Sequence, residues 1–532
     1  MKNPFPTKSF VARVARRRKA GDVFDECPGK PACKRNRQMT ARPHGMTRFE
    51  KLIAECLAGR AMGGTPLPQV LGSLLPQNPI TGSLGDETIL GALDALTDSM
   101  KTTAPTPGPA DAGMTFFGQF VDHDVTFDAT SSIGTVIDPG HIRNVRTPGL
   151  DLDCVYGDGP EATPHLYHPD HHGFLLYGRD ESHNDLARNA HGTALIGDPR
   201  NDENILVSQV QGAFICLHNI LMTKMEEGGD AAKDVHACAA MGIRKSVWDE
   251  LPAHLTSFEE VRRFVRLHYQ WVVLNDMLPQ FVEKEWLAKI LAHPPFGPDA
   301  AIMPVEFAGA AYRFGHATVQ PDYVLKEGGS PVGLFDTRGF GRRGPDTDIE
   351  MGRFFSIGGA AAQKAQAVGI GMADDLFELP FVGEGFTVGT AHVSVAQARK
   401  LGLRNMLRDR YALLLPSGQQ MARWLDAHAP HLGVRELRAP QVLRDHHITK
   451  TPLWFYCLQE AAEEGNGKLT GVGAAIVGSV FANLLRHDAE SVVHLHGFEP
   501  WSGFGDGSLA GIMDFVEKNR DGIAHADELR AG

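Results

Sequence analysis

Apolar residues recur every three to four positions along most of the chain after residue 115, and long polar stretches rich in Gly and Pro separate these segments. This spacing places the apolar side chains on one face of a helix. Alternation of apolar and polar residues, the pattern of a strand, is scarce. The pattern therefore predicts a mainly α-helical protein with long loops and little β structure. The predicted helices cover residues 47–57, 205–225, 257–291, 394–410, 419–426, 453–464 and 472–485.

The chain is predicted to consist of a basic N-terminal arm, residues 1–45, and one large domain, residues 46–532. The arm carries basic clusters near residues 13–19 and 30–37 with Pro and Gly between them, a composition typical of a solvated segment. The length alone would allow three domains of ordinary size. The polar motifs described below run from Gln119 to Arg408 and must converge on one site, which favours a single domain.

Composition narrows the possible classes of protein. A net charge of −12 argues against general nucleic-acid binding. No apolar run approaches the roughly 20 residues that cross a bilayer, and the longest, near 473–485, is predicted to be a buried core helix. Seven cysteines are too sparse for a disulfide scaffold, and no apolar signal segment follows the N-terminus. These features predict a cytoplasmic protein, with export by a signal-less route as the alternative.

Polar chemistry is concentrated in residues 118–124, inside an apolar run at 116–127. On a helix, Gln119 and His123 share a face because they are four residues apart. Asp122 and Asp124 each lie about 100° around the helix from His123. A single buried His is most often a satisfied core residue, but buried carboxylates need partners. We therefore expect charged or metallic groups on more than one side of this helix.

Further motifs follow in order at residues 144–157 (NVRTPGLDLDCVYG), 196–204 (IGDPRNDEN), 306–316, 405–408 with 415–418, and 451–456. Together with residues 118–124, the sequence resembles the animal-type haem peroxidase superfamily, which includes myeloperoxidase, peroxidasin and cyclooxygenase. It looks most like bacterial and fungal members, and the resemblance covers most of the chain from residue 115. It implies a single large haem peroxidase domain that binds haem b.

The resemblance also implies how the haem is held. His316 matches the axial ligand to the iron, and Asn405 matches the amide that holds the other ring nitrogen of this histidine. Arg313 and Arg408 match residues that pair with the haem propionates. The alternative for both arginines is an ordinary surface salt bridge.

On the opposite haem face, the resemblance makes His123 the general base that moves a proton of hydrogen peroxide. Arg200 matches the arginine that stabilises the negative charge developing as the O–O bond breaks, and Gln119 matches an amide that lines the halide position. The implied function is reduction of hydrogen peroxide through an oxoferryl intermediate, with oxidation of a halide, a pseudohalide or an organic donor.

Asp122 and Glu203 match the two carboxylates that mammalian members esterify to the haem. Ester links and simple hydrogen-bonded carboxylates both remain open for this chain. The methionine that gives myeloperoxidase a third haem link is replaced here by Asn204, so neither a sulfonium link nor strong chloride oxidation is expected.

A calcium site is a further expectation. Residues 147–153 present oxygens at alternate positions, which lie on one side of an extended segment and suit a hard cation with about 6–8 oxygen ligands. The ligands that match those of the family are Asp124, Thr147, the Gly149 carbonyl, Asp151 and Asp153. The alternative is a solvated acidic loop.

Three other functions would use parts of the same residue pattern. A fatty-acid dioxygenase of the cyclooxygenase type carries a tyrosine three residues before the proximal histidine, where this chain has Arg313; Tyr312 is expected to point elsewhere. A non-catalytic haem- or calcium-binding module needs only His316 of the matched haem residues. A non-haem metal enzyme would not explain Asn405. These comparisons favour the peroxidase.

Overall fold

The computed structural model describes residues 71–76, 84–126, 149–228, 255–297 and 303–530. The predicted basic arm, the predicted helix at 47–57 and Thr147 lie outside these ranges. The prediction of a mainly helical chain with little β structure is confirmed. The longer α-helices span Asp86–Asp98, Ala112–Val125, Ile205–Gly228, Phe258–Val272, Lys284–Ala292, Leu401–Leu407, Gly418–His428, Leu453–Glu463, Gly471–His487 and Leu509–Asn519. Short helices span Asp153–Tyr156, Leu278–Phe281, Val305–Gly309, Met351–Phe354, Val395–Ala398, Gln441–Asp445 and Ala526–Leu529.

The strands of the described residues are short and form four two-stranded sheets. Lys101–Thr102 pairs in parallel with Met372–Ala373. The three antiparallel pairs are Pro107–Asp111 with Lys364–Gln366, Asp322–Val324 with Pro331–Gly333, and Phe386–Val388 with Ala391–Val393.

The helix Gly471–His487 lies at the centre of the core, and its residues 471–485 are all buried. Small residues let its neighbours approach closely: a Cβ at Gly478 would lie 2.9 Å from Ile290, and one at Gly473 would lie 3.2 Å from the Cβ of Cys457. Close packing of this kind maximises dispersion contacts. Cys216 and Cys457 are buried thiols whose pKa burial raises, so both are unreactive core residues.

Two predicted helices are interrupted. The predicted helix at 257–291 contains a π-helical turn at Val273–Met277 and then breaks at Val282, whose extended backbone pairs with Leu469. Glu283 caps the next helix by accepting hydrogen bonds from the N–H groups of Glu285 and Trp286. The predicted helix at 394–410 is likewise broken by extended Lys400. Apolar periodicity continues across both breaks and therefore did not predict them.

Ile205–Glu226 is long and apolar enough to cross a membrane by length and composition, and 94% of its apolar window is buried inside the protein. The prediction that no segment approaches this length, and that the longest apolar one lies at 473–485, is therefore wrong. Polar residues such as Gln211, His218 and Asn219 interrupt the apolar pattern in the sequence, although all three are buried and hydrogen-bonded in the fold. One buried helix of this kind is weak evidence for a membrane span.

The helix Ala112–Val125, here called the Gln119 helix, packs against Ile205–Gly228 through aromatic rings. Phe120 stacks on Phe214 with ring centroids 5.1 Å apart, and both rings meet the edge of Tyr269. These contacts anchor one face of the Gln119 helix. Its other face looks towards the 3₁₀ helix Ala311–Ala317, here called the His316 segment.

Candidate functional site

A cavity of about 740 Å³ separates the Gln119 helix from the His316 segment. This volume falls in the range of small-molecule and cofactor sites. Seven of the nine residues predicted for catalysis or haem binding line it together: Gln119, Asp122, His123, Arg200, Glu203, Arg313 and His316. Large apolar side chains line another part of the wall, including Leu334, Phe335, Phe340, Leu376, Leu379 and Phe381.

A chain of amides fixes the orientation of His123. Gln211 donates from Nε2 to the carbonyl of Cys154 at 3.1 Å, so its Oε1 accepts from Asn201 Nδ2 at 2.8 Å. Asn201 therefore presents Oδ1 to His123 Nδ1, 2.7 Å away. In a neutral imidazole this places the proton on Nδ1 and leaves the lone pair on Nε2.

The environment also keeps His123 uncharged. The ring is buried, and burial together with the nearby positive charge of Arg200 lowers its pKa to about 4. His123 is thus a neutral proton acceptor at pH 7. Asn201 and Gln211 are two residues whose part in the site the sequence did not predict.

Arg200 is held at the C-terminal end of the Gln119 helix. Its Nη2 donates to the carbonyls of His123 at 3.0 Å and Thr126 at 2.7 Å, and it pairs with Asp198 Oδ2 at 2.8 Å. Asp198 also caps the 3₁₀ turn Pro199–Asp202 by accepting from the Arg200 N–H. These contacts orient the arginine side chain on the cavity wall.

Two carboxyl groups lie on the same wall. Gln119 Nε2 donates to Glu203 Oε1, and Asn204 Nδ2 donates to Gln119 Oε1 at 3.3 Å. Burial raises the pKa of Glu203 to about 7. Asp122 accepts a hydrogen bond from Thr126 Oγ1 at 3.0 Å. Arg200 and Glu203, which are three residues apart, both line the cavity.

His316 lies across the cavity, with Asn405 Nδ2 2.9 Å from its Nδ1. Rotating this amide by 180° presents Oδ1 to an Nδ1–H, the arrangement that leaves Nε2 free to bind a metal. Burial and the positive charges of Arg313 and Arg408 lower the pKa of His316 to about 3, so the ring is neutral. Its donor chemistry and the cavity volume both fit a haem.

The arginines near His316 are placed differently from one another. Arg313 lines the cavity, and its Nε donates to the carbonyl of Ala308 at 3.0 Å. Arg408 begins a π-helical turn, Arg408–Ala412, and is not among the cavity-lining residues described. Arg404, one turn earlier, reaches the cavity instead. The sequence motif did not predict that Arg404 lines the cavity in place of Arg408, because the motif contains no signal for the helix break at Lys400.

The side chain of Tyr312 is packed beside the cavity, contrary to expectation. Its hydroxyl donates to the carbonyl of Gly118 at 3.2 Å, and its ring stacks on Phe307. The expectation assumed a regular helix, but the His316 segment is a tight 3₁₀ helix in which residues project differently. Tyr312 therefore bridges the two walls of the site.

Three predicted calcium ligands also come together. The carboxylates of Asp124, Asp151 and Asp153 lie within 4.8 Å of one another. Asp124 is completely buried; Oδ2 accepts from Tyr269 Oη at 3.1 Å, whereas Oδ1 has no hydrogen-bond partner in the described chain. Burial and the two neighbouring carboxylates raise the pKa of Asp124 well above its usual value. A buried acidic cluster of this kind fits a hard cation.

Glu306 is another residue whose structural role the sequence did not define. It is completely buried, and its carboxylate accepts hydrogen bonds from Ser73 Oγ at 2.8 Å and from the N–H groups of Leu74 and Leu75. Glu306 thus fastens residues 73–75 beside the His316 segment. In the sequence, the one indication that Glu306 matters was its place at the start of the motif at 306–316.

Solved structures with a similar fold include peroxidase A of Dictyostelium discoideum, at 14% identity and a TM-score of 0.53, covering 87% of this chain and 92% of that one. Fatty acid α-dioxygenases are similar as well. The Oryza sativa enzyme is 14% identical with a TM-score of 0.51, covering 86% and 82%. The Arabidopsis thaliana enzyme is 12% identical with a TM-score of 0.53, covering 91% and 88%. These likenesses define the fold as that of haem peroxidases and haem dioxygenases.

The sequence model described as "Animal haem peroxidase" matches residues 131–424, more than half of the chain. The chain belongs to the animal haem peroxidase family, and this family implies haem binding. The match includes Arg200, His316 and Asn405, while the Gln119 helix precedes it. No curated protein matches the chain in sequence.

Proposed function

We propose that this protein is a haem-dependent peroxidase that reduces hydrogen peroxide and oxidises a small anion or an organic donor. The observation that supports this proposal most strongly is the amide chain that leaves a lone pair on His123 Nε2. A protein that only stored haem would need an axial ligand, and it would not need a neutral base with a fixed tautomer on the opposite wall.

A haem bound in the cavity would supply the electrons that cleave the O–O bond. His316 would hold the iron through Nε2, with Asn405 holding the proton on Nδ1. His123 Nε2 would accept the proton of the bound peroxide and return it to the departing oxygen. Arg200 would stabilise negative charge on that oxygen, while its contact with Asp198 keeps the guanidinium in place. Asp122 and Glu203 would border the haem through ester links or hydrogen bonds.

Rapid mixing of the ferric, haem-loaded protein with a small excess of hydrogen peroxide tests this proposal. The Soret absorbance is expected to fall within milliseconds to seconds and to recover when bromide, thiocyanate or an organic donor is added. A Soret band that ignores peroxide would refute the peroxidase assignment.

A second candidate is a fatty-acid dioxygenase, which the position of Tyr312 favours. Its hydroxyl lies beside the cavity within hydrogen-bonding distance of the Gly118 carbonyl, and much of the cavity wall is apolar. Peroxide reduction remains the better supported function because Tyr312 donates to a backbone carbonyl, while the amide-held base, His123, is present as well.

Replacing Tyr312 with phenylalanine separates the two candidates. Under the peroxidase proposal, Tyr312→Phe leaves the rate of peroxide reaction within about threefold of wild type, because the variant loses one hydrogen bond of roughly 1 kcal/mol and no proton acceptor. Oxygen uptake with a long-chain fatty acid is expected to be absent in both proteins. Uptake by the wild type that Tyr312→Phe abolishes would establish the dioxygenase.

We further propose that Asp124, Asp151 and Asp153 bind Ca²⁺, together with Thr147 and the carbonyl of Gly149. The proximity of the three carboxylates, two of them buried, supports this proposal. The ion would connect the residue next to His123 with the loop that leads into the helix Asp153–Tyr156.

Calcium at 100 times its dissociation constant is expected to raise the free energy of unfolding by about 2.7 kcal/mol. Chelation should reverse this gain, and Asp124→Asn should abolish the response to calcium. Asp170→Asn, which removes an exposed carboxylate outside the cluster, serves as the matched control. Thermal unfolding with and without a chelator measures the effect; identical midpoints in the wild type would contradict the calcium site.

A further inference from the structure

Two histidines and a glutamate meet on the surface of the protein, away from the cavity. One nitrogen of His168, one of His171 and one carboxylate oxygen of Glu528 all lie within 4.8 Å of one another. His171 Nε2 is 2.9 Å from Glu528 Oε2, and the rings of His168 and His171 stack with centroids 4.7 Å apart. None of the three is among the cavity-lining residues of the described chain. They form a separate group, here called the His168 cluster.

The loop that carries both histidines is held in shape by its backbone. The N–H of His168 donates to the carbonyl of Phe174 at 3.0 Å, and the N–H of Phe174 donates to the carbonyl of His171 at 3.1 Å. Nε2 of the buried residue His218 lies 2.9 Å from the carbonyl of Gly173, which anchors the loop to a long core helix. A fixed loop presents both imidazoles with little further loss of conformational entropy on binding a ligand.

Glu528 belongs to residues 524–530, here called the C-terminal segment, and this segment is anchored as well. Leu529 is completely buried, and its carbonyl accepts a hydrogen bond from the N–H of Tyr177 at 3.2 Å. Glu528 and His171 are 357 residues apart in the chain, so their meeting depends on the fold. The loop and the C-terminal segment are thus two independently held pieces that face each other through the His168 cluster.

A third histidine supports the arrangement. The ring of His525 stacks on that of His171 with centroids 3.7 Å apart and planes at 12°, while its Nε2 lies 3.1 Å from Glu226 Oε2. This contact covers one face of the His171 ring and fixes its plane. The hydrogen bond from His171 lowers the pKa of Glu528, and His168 and His525 add to this effect. The carboxylate is therefore ionised at pH 7, the form that binds a cation.

We propose that His168, His171 and Glu528 bind a divalent transition-metal ion of the zinc type, which fastens the C-terminal segment to the histidine loop. Two imidazoles and a carboxylate suit such an ion, and water would fill the fourth position of a tetrahedral site. The cluster of three aspartates presents only oxygens and suits Ca²⁺ instead. At the His168 cluster the ion would replace the proton shared by His171 and Glu528.

One set of hydrogen bonds must change when the ion binds. His168 Nδ1 accepts from the N–H groups of Asp170 and His171, both at 3.2 Å, the long end of the usual range. Turning the ring by 180° would release these bonds, place the proton on Nδ1 and leave the lone pair of Nε2 for the ion. Water can replace the released bonds, because this part of the loop is exposed.

Calorimetric titration of the haem-loaded full chain with Zn²⁺ tests the site. The protein carries no polyhistidine tag, is first treated with a chelator, and is titrated with Ca²⁺ in excess. One Zn²⁺ per chain is expected. His171→Ala and Glu528→Gln should each weaken binding at least about tenfold, since removing a ligand costs no less than removing its supporting partner. His172→Ala, which removes an exposed histidine of the same loop outside the cluster, is the matched control and should bind like the wild type.

X-ray absorption at the zinc edge identifies the ligands directly, because haem iron does not contribute there. Two imidazole nitrogens at about 2.0–2.1 Å are expected. Lowering the pH to about 5 should weaken binding, since a protonated imidazole has no lone pair for the ion.

No saturable binding of Zn²⁺, equal binding by the wild type and Glu528→Gln, or an edge spectrum without imidazole scattering would overturn the site. Glu528 is exposed and Gln has the same shape, so this variant keeps the fold and the test stays decisive. Zn²⁺ binding is measured without peroxide, so its outcome is independent of the proposed peroxidase function.

Discussion

Replacing His123 with alanine is expected to slow the reaction of the haem-loaded protein with hydrogen peroxide by about 10²- to 10⁴-fold, the usual contribution of a general base. The variant loses the lone pair that Asn201 and Gln211 hold in place. Haem should stay bound, since His316 and Arg313 on the other wall are unchanged. Stopped-flow absorbance in the Soret region gives both the rate and the haem content.

Asn201→Ala provides a graded comparison for His123→Ala. It keeps the imidazole but removes the acceptor at Nδ1, so we expect a loss of about five- to tenfold, the value of one hydrogen bond. A His123→Ala variant that reacts with peroxide at the wild-type rate would eliminate His123 as the proton acceptor.

Arg188→Met is expected to lower the free energy of unfolding by about 3–5 kcal/mol. Arg188 is completely buried and forms 2.7 Å contacts from both Nη atoms to the carboxylate of Asp202, along with contacts to Asp185. Arg179 and Arg343 also pair with Asp185, whereas Arg188 is the one ion-pair partner of Asp202 within the described chain. The variant leaves Asp202 with a buried and uncompensated charge. Urea unfolding of the two proteins side by side measures the difference.

Arg423→Met is the matched control, because its 2.6 Å pair with Glu436 is exposed. Exposed pairs contribute roughly 0–1 kcal/mol, so this variant should unfold close to the wild type. Equal unfolding midpoints for Arg188→Met and Arg423→Met would show that the buried cluster contributes no more than a surface pair.

Much of the fold was predictable from apolar periodicity because the long helices bury one continuous face. The predicted helices at 205–225, 453–464 and 472–485 correspond to Ile205–Gly228, Leu453–Glu463 and Gly471–His487. The interruptions at Val282 and Lys400 were not predictable, since each depends on one residue in an extended conformation. Val282 pairs with Leu469, and the Lys400 ammonium pairs with Asp94 and Asp98, so contacts with distant segments accompany both breaks.

The candidate site was predictable in its residues and not in its connections. The motifs located His123, Arg200, Glu203 and His316, which all line one cavity. They did not reveal that Asn201 orients His123, because an asparagine inside a turn is usually a capping or turn residue. Tyr312 projects towards the cavity because the His316 segment is a 3₁₀ helix. The apolar periodicity of the sequence does not distinguish a 3₁₀ helix from an α-helix, so this orientation was not predictable.

The first two residues of the short helix Asp153–Tyr156 contact different parts of the site. Asp153 contributes a carboxylate to the acidic cluster, and Cys154 contributes the carbonyl from which the amide chain to His123 begins. Gly197 packs so closely on the carbonyls of these two residues that any side chain there would collide with them. An ion bound at the cluster would therefore influence the orientation of the His123 imidazole without contacting it. If Ca²⁺ binds there as proposed, its removal is expected to disturb the Cys154 carbonyl and, through Gln211 and Asn201, the orientation of the His123 ring. The rate of reaction with peroxide would then fall at temperatures below the unfolding midpoint.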